Sequence, residues 1–203
     1  MNARLICLRH AESEPRIPDF SSGTADRSAL ADPPLTQRGC SQAEAVGHHL
    51  AAEKPEWLFV SDALRSRQTG EIIASFLGAR IEVVPALAEV SMGRGDREPD
   101  QSGVRADILR QWLVSGNLNV RLADGETGHQ VALRMTHAFH KIAERCDNST
   151  GIVIGHVASL TVGASALCDN GPELWGTPLP YARPFLLTVS DDSWRVQWPG
   201  AFF

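Results

Sequence analysis

The chain has 203 residues, 43% apolar and 21% charged, with a net charge of −5; it is long enough to bury one substantial core, and its charge excludes the footprint of a general nucleic-acid binder. It contains no apolar run of roughly 18 residues, which excludes a helical membrane span. Met1–Arg4 leads into only four apolar residues before Arg9, unlike a secretory leader, so a cytoplasmic protein with a single domain over 1–203 is expected.

Leu5 to Leu8 is a short apolar run, the pattern of a buried strand. A stretch near 14–34, rich in Pro, Ser, Asp and Gly, breaks the rhythm. Thr36 then has the chemistry of an N-cap, and Gly39, Ala43, Val46, Gly47 and Leu50 recur at helical spacing to about Ala52. Trp57 to Val60 is the next strand. Thr69, Ile72, Ile73, Phe76 and Leu77 mark one face of a helix that Gly78 stops.

Ile81 to Val84 reads as a third strand, and a second irregular stretch lies near 90–112. Irregular stretches of that length inside a compact domain are usually functional or disordered. Val131, Met135, Ala138, Phe139 and Ile142 form the stripe of a long helix from about Thr127 to Cys146. Gly151 to Gly155 is a buried strand, a helix starts near Ala158, and Phe185–Val189 and Arg195–Trp198 close the chain as strands. Strands alternating with helices predict an α/β fold: a three-layer α-β-α sandwich around a mostly parallel sheet.

Ligands of such sheets bind beyond the carboxyl ends of the strands. Arg9 and His10 follow the first strand, Arg65 and Arg67 the second, Glu89 the third, and His156 the Gly151–Gly155 strand. Two histidines, arginines and a glutamate at one edge suit phosphoryl transfer, which is mostly positioning and charge stabilisation. Arg9 and Arg65 can clamp phosphoryl oxygens, protonated His156 can add a donor, and His10 is a competent nucleophile near neutrality. Glu89 can protonate the leaving oxygen if burial raises its pKa. Taken singly, each is an ordinary loop or helix-start residue; the combination carries the argument.

Cys7, Cys40, Cys146 and Cys168 show no C-x-x-C pair and no ligand-like spacing to histidine, so they read as small buried apolar residues. His48, His49, His137 and His140 form no H-E-x-x-H motif and read as exposed helix positions. No metal site and no cofactor are expected.

Leu8-Arg9-His10-Ala11-Glu12-Ser13 resembles the R-H-G-E-[ST] signature of the histidine phosphatase superfamily, the phosphoglycerate-mutase-like fold. In that family's order follow Pro34-Leu35-Thr36-x-x-Gly39-x-x-Gln42-Ala43, the Ser61–Thr69 segment, Asp124-Gly125-Glu126-Thr127 and Ile154-Gly155-His156. The resemblance implies that His10 is the phosphorylated nucleophile. It further implies that Arg9, Arg65 and His156 form the phosphate pocket, that Ser13 lies in the binding loop, that Glu89 is the proton donor, and that no metal is needed. Ala11 stands where the family usually has Gly, a change without cost unless the backbone needs positive φ there. Arg16 stands where many members carry Asn, and is expected to touch phosphate or a charged substrate. Val157-Ala158 replaces the usual G-G after His156.

The expected activity is metal-independent hydrolysis of a small phosphorylated metabolite. The alternatives are a phosphoglycerate-type phosphomutase, a branch that the resemblance associates with longer insertions than 203 residues allow, and a non-catalytic phosphate-binding module. Arg16, Arg27, Arg94, Arg97, Arg105 and Arg110, with Trp112, are candidates for lining the substrate region. They alternate with acidic residues, so a self-paired solvated loop is an equal reading. No nucleic acid and no membrane partner are expected. The apolar Trp198–Phe203 end is expected to cover the core, with a homodimer contact as the other reading.

Overall fold

The computed structural model describes residues 1–15, 32–93, 102–121 and 123–198. Arg16, Arg27, Arg94, Arg97 and the end of the chain beyond Trp198 lie outside the described residues.

Six strands form one sheet: β1 (Asn2–Arg9), β2 (Trp57–Val60), β3 (Arg80–Val83), β4 (Ser149–Gly155), β5 (Pro184–Ser190) and β6 (Ser193–Gln197). Their order is β3-β2-β4-β1-β5-β6. The four strands from β3 to β1 are parallel neighbours, β5 runs antiparallel to β1, and β6 antiparallel to β5. The helices are α1 (Gln37–His49), α2 (Leu64–Leu77), α3 (Ser102–Leu113), α4 (Gly128–Arg145), α5 (Val157–Cys168) and the one-turn α6 (Gly171–Leu174).

Alternation along the strands divides the core between two faces. Ile6, Leu8, Leu58, Val60, Ile152 and Ile154 pack with Ala43, Val46 and Leu50 of the α1 region and Ile73 of α2. Leu5, Cys7, Phe59, Val153, Phe185 and Leu187 pack with Trp112 of α3, Val131, Met135 and Phe139 of α4, and Leu160 of α5. The predicted three-layer sandwich is therefore the observed one.

Thr36 caps α1 by accepting from Gly39 N, Gly78 ends α2 at φ 65°, and Thr127 opens α4 with a reciprocal capping box to Gln130. Each cap lies where the sequence places it.

Three expectations change. Residues near 90–112 are not irregular throughout, because Ile108, Trp112 and Leu113 supply one buried face of α3. β3 starts one residue earlier than expected and is exposed along its whole length, as the outer strand of the sheet. Of the cysteines, Cys7 and Cys146 are buried whereas Cys40 and Cys168 are half-buried, and all four are free. Trp198, which the sequence assigns to core covering, does pack on the core, its ring 4.7 Å from that of Phe185. No helix among the described residues is long and apolar enough to cross a membrane.

Candidate active site

The carboxyl ends of β1 and β4 are adjacent, with Arg9 paired to Gly155, and His10 N donates to Gly155 O at 3.0 Å. This register sets His10 beside His156, ring centroids 5.1 Å apart. Both are buried, His10 at 5% and His156 at 1% exposure.

Three partners fix the protonation pattern. Ala11 O can only accept, so His10 Nδ1, 2.7 Å away, carries the proton. The lone pair of His10 is then on Nε2, where Arg65 Nε donates at 3.0 Å. Arg65 Nη2 also donates to His156 Nδ1 at 3.2 Å, so the proton of His156 is on Nε2 and is given to Ser61 Oγ at 2.8 Å. Burial lowers the pKa of His10 from 6.5 to about 3; His156, Arg65 and Arg9 act in the same direction, against the Ala11 carbonyl.

Arg9 lies half-buried with its guanidinium carbon 3.7 Å from the centroid of the Tyr181 ring. One of its terminal nitrogens donates to Leu179 O at 3.2 Å, while its Nε is buried without a partner among the described residues. Burial lowers its pKa, and Tyr181 and Glu89 oppose that shift.

Glu89 reaches the N-terminus of α5, a helix whose own N-cap, His156, gives no side-chain hydrogen bond. Its carboxylate accepts from Ser159 N at 2.9 Å, Ala158 N at 3.2 Å and Val90 N at 2.9 Å. Glu89, Arg65 and His156 line one cleft of about 340 Å³, together with Asp32, Ser91 and Arg105. His10 lies beneath Arg65.

The other motif residues build the loop that carries His10. Thr36 N donates to Glu12 O at 3.0 Å. Glu12 N donates to Gln42 Oε1 at 2.9 Å, and Ala11 N to Thr69 Oγ1 at 3.0 Å. Gln68 Oε1 accepts from Leu35 N at 2.8 Å. Ser66 Oγ donates to Ile154 O at 2.9 Å and so ties α2 to the end of β4. Glycine is required at 39, because a Cβ there would lie 1.9 Å from Glu12 O. Ala11 does not adopt positive φ, so the alanine that replaces the usual glycine carries no strain.

Ser13 is half-buried on the same loop and forms an isolated antiparallel bridge with Leu35. Arg67 is exposed on α2, and Arg110 is exposed and pairs with Asp107 at 3.4 Å. Trp112 is in the core rather than in the cleft. Sequence reasoning missed Asp32, Ser61 and Tyr181. Ser61 stands in a matched motif and was within reach; Asp32 and Tyr181 carry no local signal. Among the described residues, no group of three His, Cys, Asp or Glu side chains is placed to hold a metal ion.

The family model for the histidine phosphatase superfamily (branch 1) matches residues 5–200. A probable phosphoglycerate mutase of Photorhabdus laumondii is 30% identical over 178 residues, 82% of this chain and 78% of that protein. One of Erwinia tasmaniensis is 31% identical over 137 residues, 67% of this chain and 64% of that protein. The chain thus spans about two thirds to three quarters of the length of these relatives. Among solved structures, a mycobacterial glucosyl-3-phosphoglycerate phosphatase superposes with a TM-score of 0.75 at 20% identity, covering 99% of this chain and 100% of that one. A putative alpha-ribazole-5'-P phosphatase from Escherichia coli gives 0.72 at 18% identity, over 98% of this chain and 96% of that one. At such identities the structural likeness speaks for the fold.

Proposed function

The chain belongs to the histidine phosphatase superfamily, and on that premise we propose that it hydrolyses a small phosphomonoester, without a metal, through a phosphohistidine at His10. The observation that carries this reading is the tautomer of His10: Nδ1 is committed to Ala11 O, and Nε2 presents its lone pair toward a guanidinium that suits a phosphoryl group.

In the first step Nε2 bonds to phosphorus as the ester P–O bond breaks, and the leaving oxygen takes a proton relayed through the Glu89 carboxylate from the monoanionic phosphoryl group. Arg9, Arg65 and His156 surround the charge that spreads over the phosphoryl oxygens. In the second step a water attacks phosphorus, its proton goes to Glu89, the N–P bond breaks, and inorganic phosphate leaves. Ser13, on the nucleophile loop, is assigned to substrate binding.

Phosphate release from p-nitrophenyl phosphate and a panel of natural phosphomonoesters, in EDTA, tests this for the parent chain and His10→Ala. Turnover that disappears in the variant supports the reading. Phosphate binding without release from any ester points to a binding module instead. The names of the relatives favour a second reading, a phosphoglycerate-type mutase. It requires that the phosphohistidine be passed back to a phosphoglycerate rather than to water, so isotope exchange between phosphoglycerates without phosphate release would support it.

A further inference from the structure

Besides Glu89 the cleft holds two carboxylates that the proposed chemistry does not use, Asp32 and Asp62. Asp32 Oδ2 accepts from Leu64 N at 2.7 Å, and its Oδ1 lies 3.4 Å from Nη1 of Arg65. Leu64 is the first residue of α2, and the α2 N-cap, Ala63, offers no side-chain hydrogen bond. No acidic residue stands in the first turn of that helix either. A helix N-terminus beside an arginine is where an anion is drawn, and here the chain's own carboxylate fills the position. Asp32 does for α2 what Glu89 does for α5, but next to the guanidinium that faces both histidines.

We propose that Asp32 is a specificity-determining residue, restricting the site to phosphomonoesters whose alcohol part carries no carboxylate or second phosphate. The inference rests on the phosphatase reading above and names its substrate class. The anion position between the α2 N-terminus and Arg65 is taken by Asp32, so a second negative group drawn there meets a like charge. Among the described residues lining it, Arg105 is the cation besides Arg65, against Asp32, Asp62 and Glu89. A neutral, polyhydroxylated or amine-bearing alcohol fits such a wall.

Glycerol 3-phosphate and 3-phosphoglycerate test the proposal, because they differ only in a hydroxymethyl group against a carboxylate at the far carbon. The ratio of their kcat/KM values is measured within each of three proteins: the parent, Asp32→Asn and Asp62→Asn. Where an ester is not turned over, its competitive inhibition of p-nitrophenyl phosphate hydrolysis is read instead. Asparagine keeps an acceptor for Leu64 N, so α2 remains capped, and the ratio is internal to each variant. The parent is expected to prefer the neutral ester, and Asp32→Asn to shift the ratio toward 3-phosphoglycerate by about tenfold or more, the scale of a like-charge contact near a protein surface. An unchanged ratio in Asp32→Asn overturns the proposal, and so does an equal shift in Asp62→Asn, since then the general field of the cleft sets selectivity. Absence of turnover and of inhibition for every ester defeats the phosphatase reading itself, and the proposal with it.

Discussion

Arg65 Nε donates to Nε2 of His10 at 3.0 Å, so the lone pair of the buried imidazole faces a guanidinium. On the proposed mechanism an incoming phosphoryl group would draw that donor onto its own oxygens and so uncover the nitrogen. Binding and activation would then be coupled through one side chain, which also reaches His156 and Asp32.

His10 should stay neutral across the working range. Its folded pKa is about 3 against 6.5 unfolded, so between those values the unfolded chain binds the extra proton. Stability from this group is complete above about pH 6.5 and is lost as pH falls toward 3, with a slope of up to about 1.4 kcal/mol per pH unit. Urea unfolding at pH 7.5 and pH 5 should show this loss, and His10→Gln should flatten it. Imidazole nitrogen shifts that report a charged His10 at pH 5 would contradict the assignment.

Gly39→Ala should be among the most damaging single methyl additions to the chain. The new Cβ would overlap Glu12 O, a backbone atom of the nucleophile loop that cannot move independently of α1. A loss of at least about 2 kcal/mol is expected, together with a fall in kcat, read by thermal unfolding and steady-state kinetics.

Thr69→Val keeps the shape but removes the acceptor of Ala11 N. A buried amide left without a partner costs about 1–3 kcal/mol, and here the amide adjoins His10. The midpoint of urea unfolding should fall, kcat should fall with it, and Thr69→Ser should restore both. If Val is tolerated in both measurements, the bond is not holding the loop.

Glu89→Gln separates proton donation from helix capping. Glutamine can still accept from an α5 amide, so the fold should survive, as circular dichroism would show. Turnover of alkyl phosphates should drop by about a hundredfold or more, whereas p-nitrophenyl phosphate, with a stable leaving anion, should lose far less. Equal losses on both substrates would remove Glu89 from the donor role.

Much of this was legible in the chain itself. Buried parallel strands are short unbroken apolar runs, which is why Leu5–Leu8 and Gly151–Gly155 announce β1 and β4 and, through them, His10 and His156. α4 combines a wide apolar stripe with a capping box. α3 is harder to see, because Arg105, Asp107 and Arg110 interrupt a stripe of only three deeply buried side chains, Ile108, Trp112 and Leu113. The scaffold of the site was opaque for another reason. Gln42, Gln68 and Thr69 act on a loop about 30 to 60 residues earlier in the chain, and no local pattern encodes which backbone group a side chain will meet after the chain has folded back. Asp32 is the extreme case, an acid in a Pro-rich stretch whose partners lie on another element.

The pairing of β1 with β4 also sets when the two histidines can come together. The strand that leads into His10 lies early in the sequence, yet its hydrogen-bonded neighbour on one side spans Ser149–Gly155 and on the other Pro184–Ser190. The two histidines therefore meet through contacts of high sequence separation, once β4 has paired with β1. If the proposed activity holds, the appearance of turnover during refolding would time the closure of the sheet's centre.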